Sequence, residues 1–230
     1  MENINDMKID MDIPDRVLIV GLGETGIAVA KFLARMGKKI TITDQKDEAE
    51  LKRSLEALKG IHFTGCFGRH ERNDFLQHQL IVVSPGVDSG LSYLKEAKEK
   101  GSRVVGEIEL AYSFTKEPVI AITGTNGKTT VTTLAGKIFR KAFEKVFVGG
   151  NIGNPFINYV LEGQEAAYII LEISSFQLET VETFHPETSV LLNVTEDHLD
   201  RYRSFEEYVE AKYRIFEKQG QKDFAVINRS

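Results

Sequence analysis

The run Thr123-Gly-Thr-Asn-Gly127-Lys128-Thr129-Thr130 carries the most explicit chemistry in the chain. It follows the apolar run Val119–Ile122 and opens a helix-length segment. A glycine-rich turn at a helix N-terminus offers backbone N–H groups to phosphate oxygens. The lysine adds charge at the β/γ position, and the following hydroxyl suits Mg²⁺. A strict P-loop would place glycine six residues before the lysine, where Ile122 stands, so only the Gly-Lys-Thr end conforms. Gly124, Thr125, Asn126, Gly127, Lys128, Thr129 and Thr130 are therefore the expected ATP-binding residues. Such a site needs a carboxylate at the end of a neighbouring strand, and Tyr168-Ile-Ile-Leu-Glu172 supplies one. Alone, an acid in that place is more often a solvated edge; paired with Lys128, it reads as a metal ligand.

A second lysine is misplaced by the ordinary rules. Ser204–Glu217 has an N-cap serine and an apolar stripe of Phe205, Tyr208, Val209, Ile215 and Phe216, with Lys212 inside that stripe. An isolated lysine of this kind usually snorkels to water. If it stays buried, its neutral amine becomes accessible and its chemistry changes. Just upstream, Asn193-Val-Thr-Glu-Asp-His198-Leu-Asp-Arg-Tyr202 is dense in metal-capable groups.

A different glycine turn lies near the start: Gly21-Leu-Gly23-Glu-Thr25-Gly26, between a strand-like and a helix-like segment, with Asp44 ending the next strand. Glycines there permit close backbone approach to a diphosphate, and the acid accepts from ribose hydroxyls. NAD, NADP, FAD and UDP-sugars all fit this geometry, so the turn leaves the nucleotide open.

These residues need strands and helices to hold them. Short β-branched runs alternate with helix-length segments, the pattern of an α/β protein with parallel sheets. The expected strands are Arg16–Gly21, Lys39–Asp44, Leu80–Ser84, Arg103–Val105, Val119–Thr123, Val146–Val148, Tyr168–Ile173, Ser189–Asn193 and Phe224–Asn228. The expected helices are Glu24–Met36, Ala49–Leu58, Tyr93–Lys100, Gly106–Phe114 and Lys128–Ala142, plus the Lys212 segment. In the first helix Ile27, Ala30, Leu33 and Ala34 form the apolar stripe. Thr115-Lys-Glu-Pro118 separates two strand–turn–helix cycles. The expected organisation is a Rossmann-like domain over residues 1–116 and an incomplete P-loop α/β domain over residues 117–230.

With 230 residues, 42% of them hydrophobic, there is ample material for a core. A net charge of −5 argues against general nucleic-acid or acidic-membrane binding. The single cysteine, Cys66, rules out an intrachain disulfide and a cysteine zinc cluster. No signal segment and no run of about 20 apolar residues is apparent, which points to a cytoplasmic protein without a membrane span.

Taken together, Thr123–Thr129, Gly149-Gly-Asn-Ile-Gly153, Glu172-Ile-Ser-Ser-Phe-Gln-Leu-Glu179 and Asn193–Tyr202 resemble the Mur ligases. The resemblance covers the chain after Asp15, and the last two motifs look like those of the members that add D-glutamate. It implies an ATP-dependent carbon–nitrogen ligase of peptidoglycan synthesis, a monomer with UDP-N-acetylmuramoyl-L-alanine, ATP and D-glutamate as partners. Lys128 and Thr129 would hold ATP phosphates and a first Mg²⁺, with Glu172 as its carboxylate. His198 would help hold a second Mg²⁺. Lys212 matches the family lysine that takes up CO₂ as a carbamate and serves that metal. Lys128, His198 and Lys212 are the expected catalytic groups. In the first cleft the family binds UDP: Thr25, Thr43 and Asp44 would lie around uracil and ribose, Ser84 and Gly86 near the diphosphate, and Gly23 would also bind the UDP-substrate. Asn151 and Ser174 would contact substrate nearer the reaction. Lys46 stands where the family often has arginine. Family members continue past Ser230 into an amino-acid-binding domain, so the chain is expected to be truncated and inactive alone. Another Mur-type ligase and an NAD-binding module are the alternatives.

Overall fold

The structure, a computed structural model, describes residues 11–198 and 201–228. In chain order the first half contains β1 (Arg16–Val20), α1 (Glu24–Arg35), β2 (Lys39–Asp44), α2 (Lys52–Ala57), β3 (Phe63–Phe67), α3 (Arg72–Leu76), β4 (Leu80–Val83), α4 (Ser92–Glu99), β5 (Arg103–Gly106) and α5 (Glu107–Tyr112). The second half contains β6 (Val119–Thr123), α6 (Lys128–Ala142), β7 (Val146–Gly150), α7 (Phe156–Leu161), β8 (Tyr168–Glu172), α8 (Ser175–Leu178), β9 (Thr188–Leu191), α9 (Phe205–Tyr213) and β10 (Phe224–Ile227). A 3-10 turn, Arg214–Phe216, continues α9.

Two five-stranded sheets result, ordered β3-β2-β1-β4-β5 and β10-β9-β6-β8-β7, with every pairing parallel. The central strands are buried on both faces, which is why β1 and β4 read as continuous apolar runs rather than alternating ones. In the first sheet the strand order reverses beside β1, whose C-terminal end carries the Gly21 turn. In the second, β6 lies between β8 and β9, and its C-terminal end carries the Gly124 loop. Both glycine turns therefore sit where open parallel sheets leave a crevice for ligands.

The alternating α/β reading holds, with differences that have local causes. Strand β3, Phe-Thr-Gly-Cys-Phe, is an edge strand with little burial, so no hydrophobic pattern announced it. Helices α7 and α8 are six and four residues long, too short to show a helical period. Helix α1 buries Gly26, Ala28, Val29, Ala30, Phe32 and Leu33, while Ile27 and Ala34 of the expected stripe are only half-buried. Its apolar surface is wide because α1 packs on its own sheet and on α7 of the second half.

That packing makes one apolar cluster run from Val17 and Ile19 through Phe156 and Ile157 to Ile169 and Leu171. Two buried carboxylates of α5 reinforce the junction. Glu109, with no exposed surface, accepts from the backbone N–H groups of Glu182, Thr183 and Phe184 and from the Thr183 hydroxyl. Glu107 accepts from the Ile157 N–H at the start of α7. The chain crosses from one sheet to the other between Tyr112 and Val119, the span that contains Thr115–Pro118.

Candidate functional site

The phosphate loop is shaped by two glycines and clasped by the strand beside it. Gly124 and Gly127 take positive φ angles of 153° and 84°. A β-carbon on Gly124 would lie 3.0 Å from that of Leu192, so both conformation and space require glycine. The segment after β9 reads the loop backbone like a strand: Thr125 N–H donates to the Asn193 carbonyl at 3.0 Å. The Asn193 side-chain amide takes the Asn126 N–H at 2.9 Å and donates to its carbonyl at 3.0 Å. The Thr125 hydroxyl lies 3.1 Å from the Tyr208 hydroxyl and accepts from Thr195 N–H. Asn193 and Tyr208, neither assigned a role from sequence, thus hold the loop open at the N-terminus of the 15-residue helix α6.

Lys128 opens that helix and folds its ammonium back onto the carbonyls of Gly124 and Thr125, each at 2.9 Å. The Thr129 hydroxyl donates to Glu172 Oε2 at 2.7 Å, and the Asn151 amide donates to the other carboxylate oxygen at 2.8 Å. Glu172 is 2% exposed at the end of β8. Asn151 reaches it because Gly150, at φ 94°, turns the chain so closely that a β-carbon would meet the Glu172 carbonyl at 2.3 Å. A hydroxyl and a buried carboxylate side by side at the phosphate loop are hard oxygen donors, a set that fits Mg²⁺. Thr130 follows on the exposed side of the same turn.

Lys212 is 1% exposed, with its ammonium 2.9 Å from the Gly124 carbonyl and 4.5 Å above the Tyr208 ring. It therefore reaches the same loop from α9 that Lys128 reaches from α6. Burial, with help from the nearby Lys128 charge, lowers its pKa to about 8, against a partial opposing pull from Asp197. His198 lies at the far edge of Tyr208, its ring centroid 6.0 Å away, and packs 4.9 Å from Phe176. Its φ of 55° is the left-handed region, where histidine costs energy unless the surroundings demand it. Among the described residues His198 and Glu172 do not join a cluster of three or more metal-capable side chains. Leu199 and Asp200 lie outside the described residues. Ser174 caps α8, its hydroxyl accepting from Gln177 N–H in a capping box directly after β8.

The first glycine turn borders a cleft of about 630 Å³, a size that suits a nucleotide. Gly23, Thr25, Asp44, Lys46, Ser84 and Gly86 line it, and Asn151 enters from the second half. Asp44 fixes the turn: its two oxygens accept from the backbone N–H groups of Leu22 at 2.7 Å and Lys46 at 2.9 Å. The Ser84 hydroxyl donates to the Gly21 carbonyl. Thr43 is placed differently from its neighbour. It is fully buried, and its hydroxyl lies 3.0 Å from Nδ1 of His70, which does line the cleft. Burial lowers the His70 pKa, against partial compensation by Asp44 and Asp74. His70 was missed because β3, the strand that delivers it, was missed; the only signal was Gly68-Arg69-His70 beside a weak strand.

With this geometry in hand, comparisons with known proteins become specific. The Mur ligase MurD-like N-terminal domain matches residues 15–106, and the Mur ligase middle domain matches residues 122–230. The UDP-N-acetylmuramoylalanine--D-glutamate ligase of Geotalea daltonii is 54% identical over 213 residues, which is 93% of this chain and 47% of that protein. Its namesake from Pelobacter propionicus is 50% identical over 219 residues, 95% of this chain and 49% of that protein. The chain spans about half the length of these curated relatives. Among solved structures, a UDP-N-acetylmuramate:L-alanyl-gamma-D-glutamyl-meso-diaminopimelate ligase from Neisseria meningitides superposes with a TM-score of 0.58 at 17% identity. That match covers 94% of this chain and 71% of that one. A murein peptide ligase from Psychrobacter arcticus gives 0.53 at 16%, covering 94% and 49%. These two likenesses concern the fold; the family matches and the half-identical relatives go further. A phosphate loop with its carboxylate, a second glycine cleft and two matched domains identify the chain as a member of the Mur ligase family, comprising its N-terminal and middle domains.

Proposed function

We propose that the full-length protein ligates D-glutamate to UDP-N-acetylmuramoyl-L-alanine with ATP, in the cytoplasm and as a monomer, as a step of peptidoglycan synthesis. The observation that carries this is the Thr129–Glu172–Asn151 chain, because Asn151 also lines the first cleft and so connects the phosphate loop to it. Relatives about half identical to the chain and named for this reaction support the choice of substrates.

In this reading residues 1–116 hold the UDP moiety through Gly23, Thr25, Asp44, Ser84 and Gly86, and residues 117–230 hold ATP. The free carboxylate of the alanyl group attacks the γ-phosphorus of ATP. A carbon-bound oxygen–phosphorus bond forms as the β–γ bridge breaks, giving an acyl phosphate and ADP. The amine of D-glutamate then adds to the acyl carbon, loses its proton and expels phosphate. Lys128, released from the Gly124 and Thr125 carbonyls, turns toward the β/γ oxygens, while the N–H groups of residues 124–129 position them. Thr129 and Glu172 would hold one Mg²⁺, and His198 with Lys212 as its carbamate would hold a second. Bound there, magnesium would neutralise charge on the transferring phosphoryl group. Lys212 suits carbamate formation because its amine is buried and its proton is weakly held: the neutral nitrogen adds to CO₂ and releases a proton. Asn151 and Ser174 orient the sugar-peptide between the two sites.

The test uses the full-length protein with ATP, a panel of UDP-muramoyl precursors and amino acids, and a parallel NAD titration. Phosphate release and amide formation only with UDP-N-acetylmuramoyl-L-alanine plus D-glutamate are expected. Tight NAD binding with no response to any UDP-sugar refutes the reading. Lys212→Ala should abolish ligation, with partial rescue by acetate; full activity without acetate removes the carbamate from the scheme.

A further inference from the structure

Arg201 reaches out of the second half and grips the cleft loop of the first. Its guanidinium donates to the Pro85 carbonyl at 3.2 Å and to the Val87 carbonyl at 2.9 Å, across more than a hundred residues of sequence. The same group donates to Glu179 Oε2 at 3.2 Å and lies 4.2 Å above the Phe176 ring. Glu179 is fixed in turn by the Tyr202 hydroxyl at 2.6 Å. Arg201 is thus a planar fork seated on an aromatic ring, with both terminal nitrogens spent on main-chain oxygens, one of them shared with Glu179, and its Nε buried without a partner.

The direction of approach matters. Arg201 lines a second cleft, together with Glu179, Tyr202 and Asp88, and does not line the one beside the Gly21 turn. Asp88 borders both, so the loop over residues 85–88 is a wall between them, and Arg201 holds it from behind. The described peptide bonds are all trans, and in a trans peptide the N–H points opposite to the C=O. Pulling the Pro85 and Val87 carbonyls rearward turns the N–H groups of Gly86 and Asp88 toward the front cleft. The intervening Val87 N–H is consumed by the turn, donating to the Ser84 carbonyl at 3.0 Å with Pro85 and Gly86 at its corners. The Asp88 carboxylate is turned onto Gly90 N–H at 2.8 Å. Facing this wall is the Gly21 turn, where Gly23 caps the 12-residue helix α1 without any side-chain bond.

We infer that Arg201 is a positioning residue for the diphosphate of the nucleotide substrate, acting through the Pro85 and Val87 carbonyls to aim the Gly86 and Asp88 N–H groups. The inference rests on the reading that the first cleft takes a nucleoside diphosphate sugar. Arg201 never touches the ligand. Its effect should be confined to the phosphates, because Asp44 and His70, the groups left for uracil and ribose, follow β2 and β3, across β1 from the loop that follows β4.

That confinement supplies the test. In the full-length protein, calorimetric titration gives dissociation constants for UDP and for UMP, and their ratio isolates the second phosphate from the base. Wild type should prefer UDP. In R201A the preference should fall by about tenfold or more, the worth of one misaimed hydrogen bond to a charged oxygen. R201K should fall similarly, since a single ammonium cannot hold two carbonyls in a fixed plane. The KM for ATP should stay within about twofold, and thermal unfolding should report a folded protein. An unfolded fraction reduces stoichiometry and leaves the affinity ratio untouched, so a loss of folding cannot imitate the result. An unchanged ratio in both variants overturns the inference, as does full restoration by R201K, which would make the effect one of charge. Wild type that binds neither nucleotide overturns the reading of the cleft, and the inference with it.

Discussion

Glu107 offers a quantitative test of how the two halves are joined. It is 2% exposed, with one carboxylate oxygen accepting N–H at the start of α7 and the other, Oε2, buried without a partner. Burial pushes its pKa from 4.5 to about 7, against the opposing pull of the Ile157 and Phe156 N–H groups. In the unfolded chain the group ionises near its ordinary value, so between pH 4.5 and 7 the folded protein holds one more proton. Stability must therefore fall as pH rises through that window, by about 1.4 kcal/mol per pH unit and roughly 3 kcal/mol in all. Glu107→Gln keeps an oxygen for the α7 amides and cannot ionise. Urea unfolding of both proteins at pH 5, 6, 7 and 8, each referenced to its pH 5 value, subtracts every other titration. The variant should gain on wild type progressively and be ahead of it by about 2.5 kcal/mol at pH 8, the part of the window above the pH 5 reference. A difference that stays flat across the four pH values would falsify the assignment of a protonated, desolvated carboxyl at this junction.

Three further outcomes follow from the site. Gly150→Ala forces a non-glycine residue to φ 94° with its β-carbon 2.3 Å from the Glu172 carbonyl, so denaturant unfolding should show a loss of about 2 kcal/mol or more, and nucleotide affinity should drop with it. Tyr202→Phe removes the donor to Glu179 and should cost about 1–2 kcal/mol in the same assay; a neutral result would mean that Glu179 is held well enough by Arg201 alone. Lys212→Met should stabilise the chain: the lysine pKa is lowered from 10.5 to about 8, so wild type is destabilised below pH 8 and recovers between pH 8 and 10.5. The variant should then lead by up to about 3 kcal/mol at pH 7 and lose that lead by pH 10.5.

What the sequence made legible depended on how local the cause was. Strands buried on both faces, such as Val17–Val20 and Ile169–Leu171, announce themselves through composition alone. The Gly124 loop and Lys128 were legible because their chemistry is written in consecutive residues. The odd position of Lys212 was visible as a polar break in a helical stripe, and it is indeed buried. Helix α7 was not, because six residues have no period of their own; it exists where Glu107 caps its start and α1 packs on its flank. Strand β3 and His70 escaped for a related reason: an edge strand containing Gly65 and Cys66 has no buried face to pattern. Arg201 and Glu179 stand in motifs whose residue types give them no role, since their partners lie 22 to 116 residues away.

The segment from Glu179 to Phe184 shows why those distant contacts matter together. Arg214 donates to the carbonyls of Glu179 and Val181, each at 2.6 Å, from the end of α9. From the other side, Glu109 of α5 takes three consecutive N–H groups, and Arg103 donates to Glu182 at 2.9 Å. One short stretch is thus clasped by the helix that carries Lys212 and by the helix that closes the first sheet. Gly106 adds a further restraint, since a β-carbon there would meet the Thr180 hydroxyl at 2.2 Å and pry the stretch away. Under the proposed function, a substrate anchored by its nucleotide in one cleft and reacting at the phosphate loop of the other needs a set span between them. A misplacement of about 1 Å is enough to cost a large factor in rate. Burying carboxylates and arginines at the junction costs stability, as Glu107 illustrates, yet each fixes direction as well as contact. The polar character of this junction is therefore better explained by the spacing it enforces than by the stability it adds.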